Sequence, residues 1–361
     1  MGALDGIKVV DLSRVLAGPL VAMTLGDLGA DVVKVESPLG DDTRRWLPPA
    51  DAQGRASYHH AANRNKRSIV LDLTLESDLE LAQSLCREAD VVVSNFKPGT
   101  LGRFGLAHDQ LPERVISCEV SGMGTLPGYD PLVQAVGGLM SITGPPGSPS
   151  KVGVAIVDVV AALYATVGVL AALYDRASTG RGQRVTVDLL HANLALLANQ
   201  ASGFLATGES PIALGNVHPS IEPFAVYPTG DGELMILAGN DGQFARLAGA
   251  LGDASLPERY PTNTDRVQNR EALHAELVSL LATRGAREWR DALNAAGVPA
   301  GPVQTIGEAF SLAESLGLDV VDETDGVRTV TFPVQLSETP ATVRLRPPDL
   351  DEHGDELRLG V

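Results

Sequence analysis

Short apolar runs, each closed by a turn or a polar helix face, dominate the first 120 positions of the chain. Residues 7–12 (Ile-Lys-Val-Val-Asp-Leu) predict a buried strand, 18–28 a helix and 31–36 the next strand. Continuous apolar runs of this length, separated by a helical period, point to parallel strands joined through crossover helices. The alternation continues with a strand at 68–73, a helix at 77–89 and strands at 90–94 and 115–120. The fold class expected is α/β, with a Rossmann-like parallel-sheet large domain.

The pattern then changes period. Residues 158–178 read as one long apolar helix, expected to be buried on several sides because it carries so few charges. A Thr-Gly-Arg-Gly turn at 179–182 leads to a strand at 183–188 and an Ala-rich helix at 189–205. Apolar periodicity breaks at the Gly/Pro-rich stretch 208–223. A smaller α/β unit follows, opening with a hairpin over 224–238 that turns at Asp231-Gly232. Helices are expected around 243–251 and 270–293, a loop at 297–303 and a strand at 327–332. The expected organisation is therefore a large domain at 1–207, a connector at 208–223, a small domain at 224–310 and a C-terminal segment, 311–361, returning to the large domain.

Composition narrows the function classes. The chain has 361 residues and a net charge of -17. Such an excess of acid repels nucleic acid and anionic membrane, so neither is an expected partner. Two cysteines, Cys86 and Cys118, offer neither a disulfide framework nor metal-ligand spacing, and the seven histidines show no ligand pattern. No signal-peptide pattern opens the chain, and no apolar run is read as a membrane span. A cytoplasmic protein without metal or resident cofactor is expected.

Asp158 carries the sharpest chemical signal. It sits in Val-Ala-Ile-Val-Asp-Val-Val-Ala-Ala, among neighbours that would desolvate it. Two readings fit: an N-cap for the helix that follows, or a carboxylate held ionised at a helix N-terminus and aimed as a nucleophile. Asp130, in a glycine-bounded turn, reads as a turn residue or as a second carboxylate paired with Asp158. Basic residues cluster early (Arg44, Arg45, Arg64, Lys66, Arg67, Lys97, Arg103) and read either as phosphate donors or as solvated surface charge. His218, in the connector, is structural or lines a cleft. The dinucleotide fingerprint GxGxxG, the P-loop, HExxH and GxSxG are all absent.

Taken in order, several strings resemble the family III CoA-transferases, a superfamily that includes formyl-CoA transferase, carnitine and succinyl CoA-transferases and alpha-methylacyl-CoA racemase. They are Leu-Asp-Gly-Ile-Lys-Val-Val-Asp-Leu-Ser at 4–13, Asn-Lys-Arg-Ser-Ile-Val-Leu-Asp-Leu at 65–73 and Asn-Phe-Lys-Pro-Gly at 95–99 with Arg-Phe-Gly at 103–105. Residues 17–19, 28–36, 40–44, 128–130, 134–135, 143–144, 179–183 and 297–303 complete the set. The resemblance implies that Asp158 is the nucleophile. It implies that the backbone at Leu16 and Ala17 holds the acyl oxygen and pantetheine end, and that Leu71 and Asp72 lie on the adenine side. Asn95, Phe96 and Arg103 fall on a CoA-binding stretch, and Asp130 lies near the reacting centre. It also implies a homodimer of two chains threaded through each other as interlocked rings.

Three positions depart from the relatives. Leu16 stands where formyl-CoA transferase has glutamine. Ser37 stands where that enzyme has a CoA-binding arginine, which passes the charge to Arg44, Arg45 or Arg67; Arg44 and Lys66 are expected on coenzyme A. Tyr129 stands where racemases carry a proton-transferring histidine; a phenol, ordinarily protonated until about pH 10, is a poor base at pH 7. The expected activity is transfer of coenzyme A from an acyl-CoA to a small carboxylic acid through an aspartyl thioester, with Asp158, Asp130 and Tyr129 at the reacting centre and His218 and Glu222 in the substrate pocket. The alternative, a 2-methylacyl-CoA racemase, is disfavoured by Tyr129.

Overall fold

A computed structural model describes residues 1–124 and 126–360. Six strands, β1 (Lys8–Asp11), β2 (Asp31–Glu36), β3 (Lys66–Val70), β4 (Val91–Ser94), β5 (Ile116–Ser121) and β6 (Arg184–Asp188), form one sheet in the order β3-β2-β1-β4-β5-β6. Every pairing is parallel. Strand order reverses between β1 and β4. The loops leaving their carboxyl ends diverge there and open a crevice, where ligands of open α/β sheets bind.

The outer edge of β3 is covered by the end of the chain. Asp351 accepts from the Val70 N–H at 2.7 Å, Arg358 donates to the Val70 carbonyl at 2.8 Å, and the His353 N–H donates to the Ser68 carbonyl. An open parallel edge is a template for unwanted pairing, and this cover removes it.

By contact the chain divides into two compact units. One comprises residues 1–139, 151–209 and those from 317 onward; the other comprises 140–150 and 210–316. The second unit thus takes in 140–150, a piece expected in the large domain. Its sheet is β7 (Phe224–Pro228), β8 (Glu233–Leu237) and β9 (Ala300–Pro302), all antiparallel. Its core gathers Tyr227, Phe244, Leu273, Leu277 and Trp289. The short strand β9 lies within 297–303, read as a loop from its glycines and prolines. The helix read over 270–293 is two, Arg270–Leu281 and Ala286–Ala295. In the first unit, the strand expected at 327–332 pairs as a separate antiparallel hairpin, β10 (Val321–Thr324) with β11 (Val327–Val330).

Two helical expectations need correction. The helix Ile156–Thr179 packs on α1 (Ala17–Asp27), β5 and β6, but it is not buried all round. Leu163, Tyr164, Val167 and Tyr174 are exposed on its other face. By length and composition alone this helix is also long and apolar enough to cross a membrane, a property the sequence reading missed because Asp158, Asp175 and Arg176 interrupt the run. The Ala-rich helix breaks into Leu189–Leu196 and Ala198–Thr207 where Ala198 takes φ +43°, and the second piece buries no residue.

Candidate active site

At the crevice between β1 and β4 lies a cavity of about 240 Å³. Arg14–Ala17 after β1, Asn95–Pro98 after β4, Val120–Gly122 at the end of β5, and Pro127–Tyr129 form its walls, with Asp158 and Leu189. Two glycines make one wall possible. A Cβ on Gly122 or Gly128 would fall within 3 Å of the other's backbone, so the two segments touch only because neither has a side chain.

Asp158 is 9 % exposed and faces this cavity. It is not the helix cap. The helix begins at Ile156, Ala155 occupies the cap position, and Asp158 lies in the first turn. The cap comes from Asp130, 28 residues before Asp158, whose Oδ2 accepts from the Val157 N–H at 2.7 Å and the Asp158 N–H at 3.3 Å. Its Oδ1 accepts from Gln134 Nε2 at 2.6 Å, and Gln134 Oε1 accepts from the Val152 N–H. An Asp130 oxygen is therefore spent on the orphan N–H groups that Asp158 was expected to satisfy. This leaves the Asp158 carboxylate clear of the backbone.

The two carboxylates also correct the expected charge state. Burial first, and the nearby negative charge of Asp130 second, push Asp158 up to about 7. A helix N-terminus favours an anion by roughly 1 kcal/mol; here desolvation outweighs it. Near neutral pH the group exchanges between acid and poorly solvated carboxylate. Tyr58, absent from the sequence-based list, belongs to the same surroundings: burial and then the charge of Asp158, Asp130 and Asp41 raise its phenol above the usual value. Its ring meets that of Trp46 edge-on at 4.9 Å. Nothing in the local sequence marks either aromatic, because their neighbours in space lie far along the chain.

Leu16 and Ala17 line the cavity at the start of α1, whose first turn has no side-chain cap. Gly18 lets that turn approach the preceding loop, since a Cβ there would overlap Ser13. Tyr129 stands at the mouth, 63 % exposed. Asn95 also lines the cavity, but its amide is committed: it accepts from the Arg14 N–H at 3.0 Å and donates to the Arg14 carbonyl at 2.7 Å, bracing one loop of the crevice against the other.

A second cavity, about 310 Å³, lies over the carboxyl ends of β1, β2 and β3 and is lined by Ser37, Gly40, Leu71, Asp72, Phe96 and Phe104 among others. Phe96 borders both cavities. Arg103, next to Phe104, is exposed and makes no ion pair among the described residues.

Two basic residues expected on coenzyme A are placed elsewhere. Lys66 is fully buried and donates to Asp11 (2.8 Å), the Pro19 carbonyl (2.8 Å) and Asn63 (2.9 Å), which uses all three of its hydrogens. Arg44 grips Glu36 through Nε (2.8 Å) and Nη2 (2.5 Å) and donates to the Pro348 carbonyl. Lys66 has no donor left for a phosphate, and the Arg44 charge is already paired with Glu36. The signal was available: lysine inside a buried parallel strand must be paired.

In the second unit, Glu222 is fully buried, accepting from Tyr227 Oη at 2.9 Å and Arg270 Nε at 2.8 Å. That makes it an interior ion pair rather than a pocket side chain. His218 accepts from the Ser220 N–H through Nδ1 and packs on Phe224, so one ring nitrogen is committed inside its own loop.

Fold and cavity define an α/β protein with one desolvated carboxylate facing a crevice at the sheet's switch point. Comparison with known proteins carries this further. The family model for CoA-transferase family III matches residues 4–354. A succinate–glutarate CoA-transferase of Agrobacterium fabrum is 41 % identical over 97 % of this chain and 93 % of its own. An acetyl-CoA:oxalate CoA-transferase of Acetobacter aceti is 36 % identical over 99 % and 95 %. A CAIB/BAIF family protein from Brucella suis superposes with a TM-score of 0.91, 41 % identity and 99 % coverage of both chains. The chain belongs to the CoA-transferase family III and is an enzyme of CoA transfer.

Proposed function

We propose that this enzyme moves coenzyme A from an acyl-CoA to a free carboxylic acid with Asp158 as the covalent carrier. The observation that carries the reading is an unpaired, desolvated carboxylate facing a cavity beside an uncapped helix start. Ionised Asp158 attacks the thioester carbonyl. The tetrahedral oxyanion lies against backbone N–H donors at Leu16–Ala17 and collapses to a mixed anhydride, releasing CoA thiolate. The thiolate attacks the aspartyl carbonyl, the donor acid leaves as carboxylate, and an aspartyl-CoA thioester remains. The acceptor carboxylate attacks that thioester, forming a second anhydride and thiolate. Thiolate attack on its acyl carbon gives the new acyl-CoA and restores Asp158. One thioester is exchanged for another, so neither ATP nor metal is required.

Burial suits both ends of this cycle. A carboxylate short of water is a stronger nucleophile, and an anhydride kept from water survives until the thiolate returns. Asp130 acts as a positioning residue by capping the helix that bears Asp158. Tyr129 borders the acyl end, and Tyr58 lies within electrostatic reach of Asp158. The second cavity, lined by Leu71, Asp72 and Phe96, supports a seat for the adenine side of coenzyme A there, and exposed Arg103 is free to reach phosphate.

Relatives named for succinate, glutarate and mesaconate support a pair of short dicarboxylic acids as substrates. The one electrostatic objection to a dicarboxylate, the Glu222 charge, is neutralised by Arg270. The exposed apolar face of the Ile156–Thr179 helix supports a homodimer, and a cytoplasmic location suits the acyl-CoA pool. The racemase reading is not favoured: no histidine lines the cavity among the described residues, and Tyr129 occupies the mouth.

The test is Asp158→Ala with a short-chain acyl-CoA and a panel of acids. The variant binds the acyl-CoA but gives no product, and hydroxylamine traps an acyl-aspartate at Asp158 only in the unsubstituted enzyme. Turnover by Asp158→Ala within tenfold of the parent rules the mechanism out.

A further inference from the structure

Beneath the two cavities the first unit buries six charged groups. Lys34, Lys66, Asp11 and Asp41 have no exposed side-chain surface, and Glu36 and the largely buried Arg44 join them. Three acids face three bases, so the cluster is neutral. Lys34 lies 3.1 Å from Asp41 and 3.9 Å from Asp11, Lys66 2.8 Å from Asp11, and Arg44 2.5 Å from Glu36. Clusters of this kind are a weak source of stability, because taking each ion from water costs several kcal/mol that the pairing only returns. Their use has to be sought in what they hold.

What they hold is one loop. Lys34 Nζ donates to the Ser13 carbonyl at 3.0 Å. Asp11 accepts from the Ser13 N–H at 2.9 Å and from its hydroxyl. Asp41 accepts from the Val15 N–H at 3.2 and 3.3 Å through its two oxygens. The same carboxylate caps the short turn that follows it, accepting from the Thr43 N–H and hydroxyl. Val15 is the residue that needs holding. Its φ is +72°, left-handed backbone that a β-branched side chain rarely adopts and that costs about 1–3 kcal/mol. The next residue, Leu16, occupies the cap position of α1, so this strained φ sets where the first N–H groups of the helix point.

We propose that Asp41 is a positioning residue for acyl transfer: clamped by Lys34, it holds Val15 in left-handed backbone and so aims the Leu16–Ala17 end of α1 at the carbon that Asp158 attacks. This rests on the aspartyl reading above. It makes the ion cluster the support of an oxyanion site, with the strain at Val15 offset by the buried acceptor beneath it. The role is distinct from substrate contact, since Asp41 acts only through backbone.

The test uses the full chain and four variants, with circular dichroism and Tm on each. Asp41→Asn removes the charge that clamps the loop. It is expected to lower kcat at least tenfold while KM for the acyl-CoA changes less than threefold. Adding Val15→Gly to Asp41→Asn lets the backbone adopt φ +72° without strain and is expected to restore kcat at least fivefold; a loss caused only by the unpaired Lys34 charge would not be restored by a glycine, which supplies no carboxylate. Val15→Pro forbids the conformation and removes the N–H, with the ion cluster intact, and its kcat falls at least tenfold below that of Val15→Gly. A kcat for Asp41→Asn within twofold of the parent overturns the proposal, as does a double variant no faster than the folded single one. If Asp41→Asn does not fold, the proline–glycine pair decides: equal kcat values overturn it. Hydroxylamine trapping in the parent separates the two levels. No acyl-aspartate there sinks the aspartyl mechanism itself, whereas adduct in the parent with unchanged Asp41→Asn kinetics sinks only the positioning role.

Discussion

The carboxylate of Asp130 caps the helix that carries Asp158, its Oδ2 reaching the Val157 N–H at 2.7 Å. One acid therefore fixes the position of the other and, by its charge, raises the other's affinity for a proton. The two effects respond differently to substitution.

Asp130→Asn keeps an acceptor for the helix N-terminus but removes the charge. Asp158 must be ionised to attack, so kcat/KM of the parent is expected to rise with pH to a plateau with its half-point near 7. In Asp130→Asn that half-point moves to lower pH, though not to the ordinary carboxylate range, because burial is the larger cause. A pH–rate profile that stays in place would show that the Asp130 charge does not act on Asp158. Asp130→Ala loses the cap as well and is expected to lower stability by about 1 kcal/mol, read by denaturant unfolding.

The raised pKa of Asp158 has a stability counterpart. A carboxylate whose folded pKa exceeds its unfolded value binds the proton more tightly when folded. Its contribution to stability is fully present below about pH 4, the unfolded value, and is lost as pH rises through about 7. Asp158→Asn never acquires the buried charge. Its Tm is expected to lie nearest the parent's below about pH 4 and to exceed it increasingly up to pH 8.5, by several degrees. A Tm difference that does not grow with pH would contradict a desolvated, proton-holding Asp158.

Lys66 and Arg103, both basic and both candidates for coenzyme A, should part company. Lys66→Met leaves Asp11 in the interior with only the more distant Lys34 opposite it and is expected to cost about 3 kcal/mol of folding stability. Arg103→Ala should leave Tm within 1–2 °C and raise the KM for acyl-CoA severalfold at low salt, an effect that shrinks as salt is added. Equal losses of stability in the two variants would erase the distinction the structure draws.

Glu222→Gln addresses the second unit. Removing one half of a buried pair leaves Arg270 uncompensated, so chemical unfolding should begin at lower denaturant. The ranking of acceptor acids should stay as it is in the parent. A changed ranking would return Glu222 to the substrate pocket.

Much of this protein is legible in its sequence. The short apolar runs of Val9-Val10, Val32-Val33 and Val91-Val92-Val93 specify strands buried on both faces, and the helices between them require those strands to be parallel. Asp158 stands out because its neighbours are apolar, and the ordered strings from residue 4 onward announce the family. All of these are local or colinear properties, written in residue type and spacing.

Tertiary structure alone decided the rest. Asp130, not Asp158, is the cap, because the two meet only when the helix start folds back beside the Gly128–Asp130 turn. Lys66 is an interior support because Asp11 lies two strands away in the sheet, and Arg44 is held by Glu36, at the end of the strand before its own turn. Val15 is held left-handed by Asp41, 26 residues away. The charge state of Asp158 follows from the same cause: a pKa depends on how much water and which charges surround a group, and both are set by chain segments that a linear reading leaves far apart.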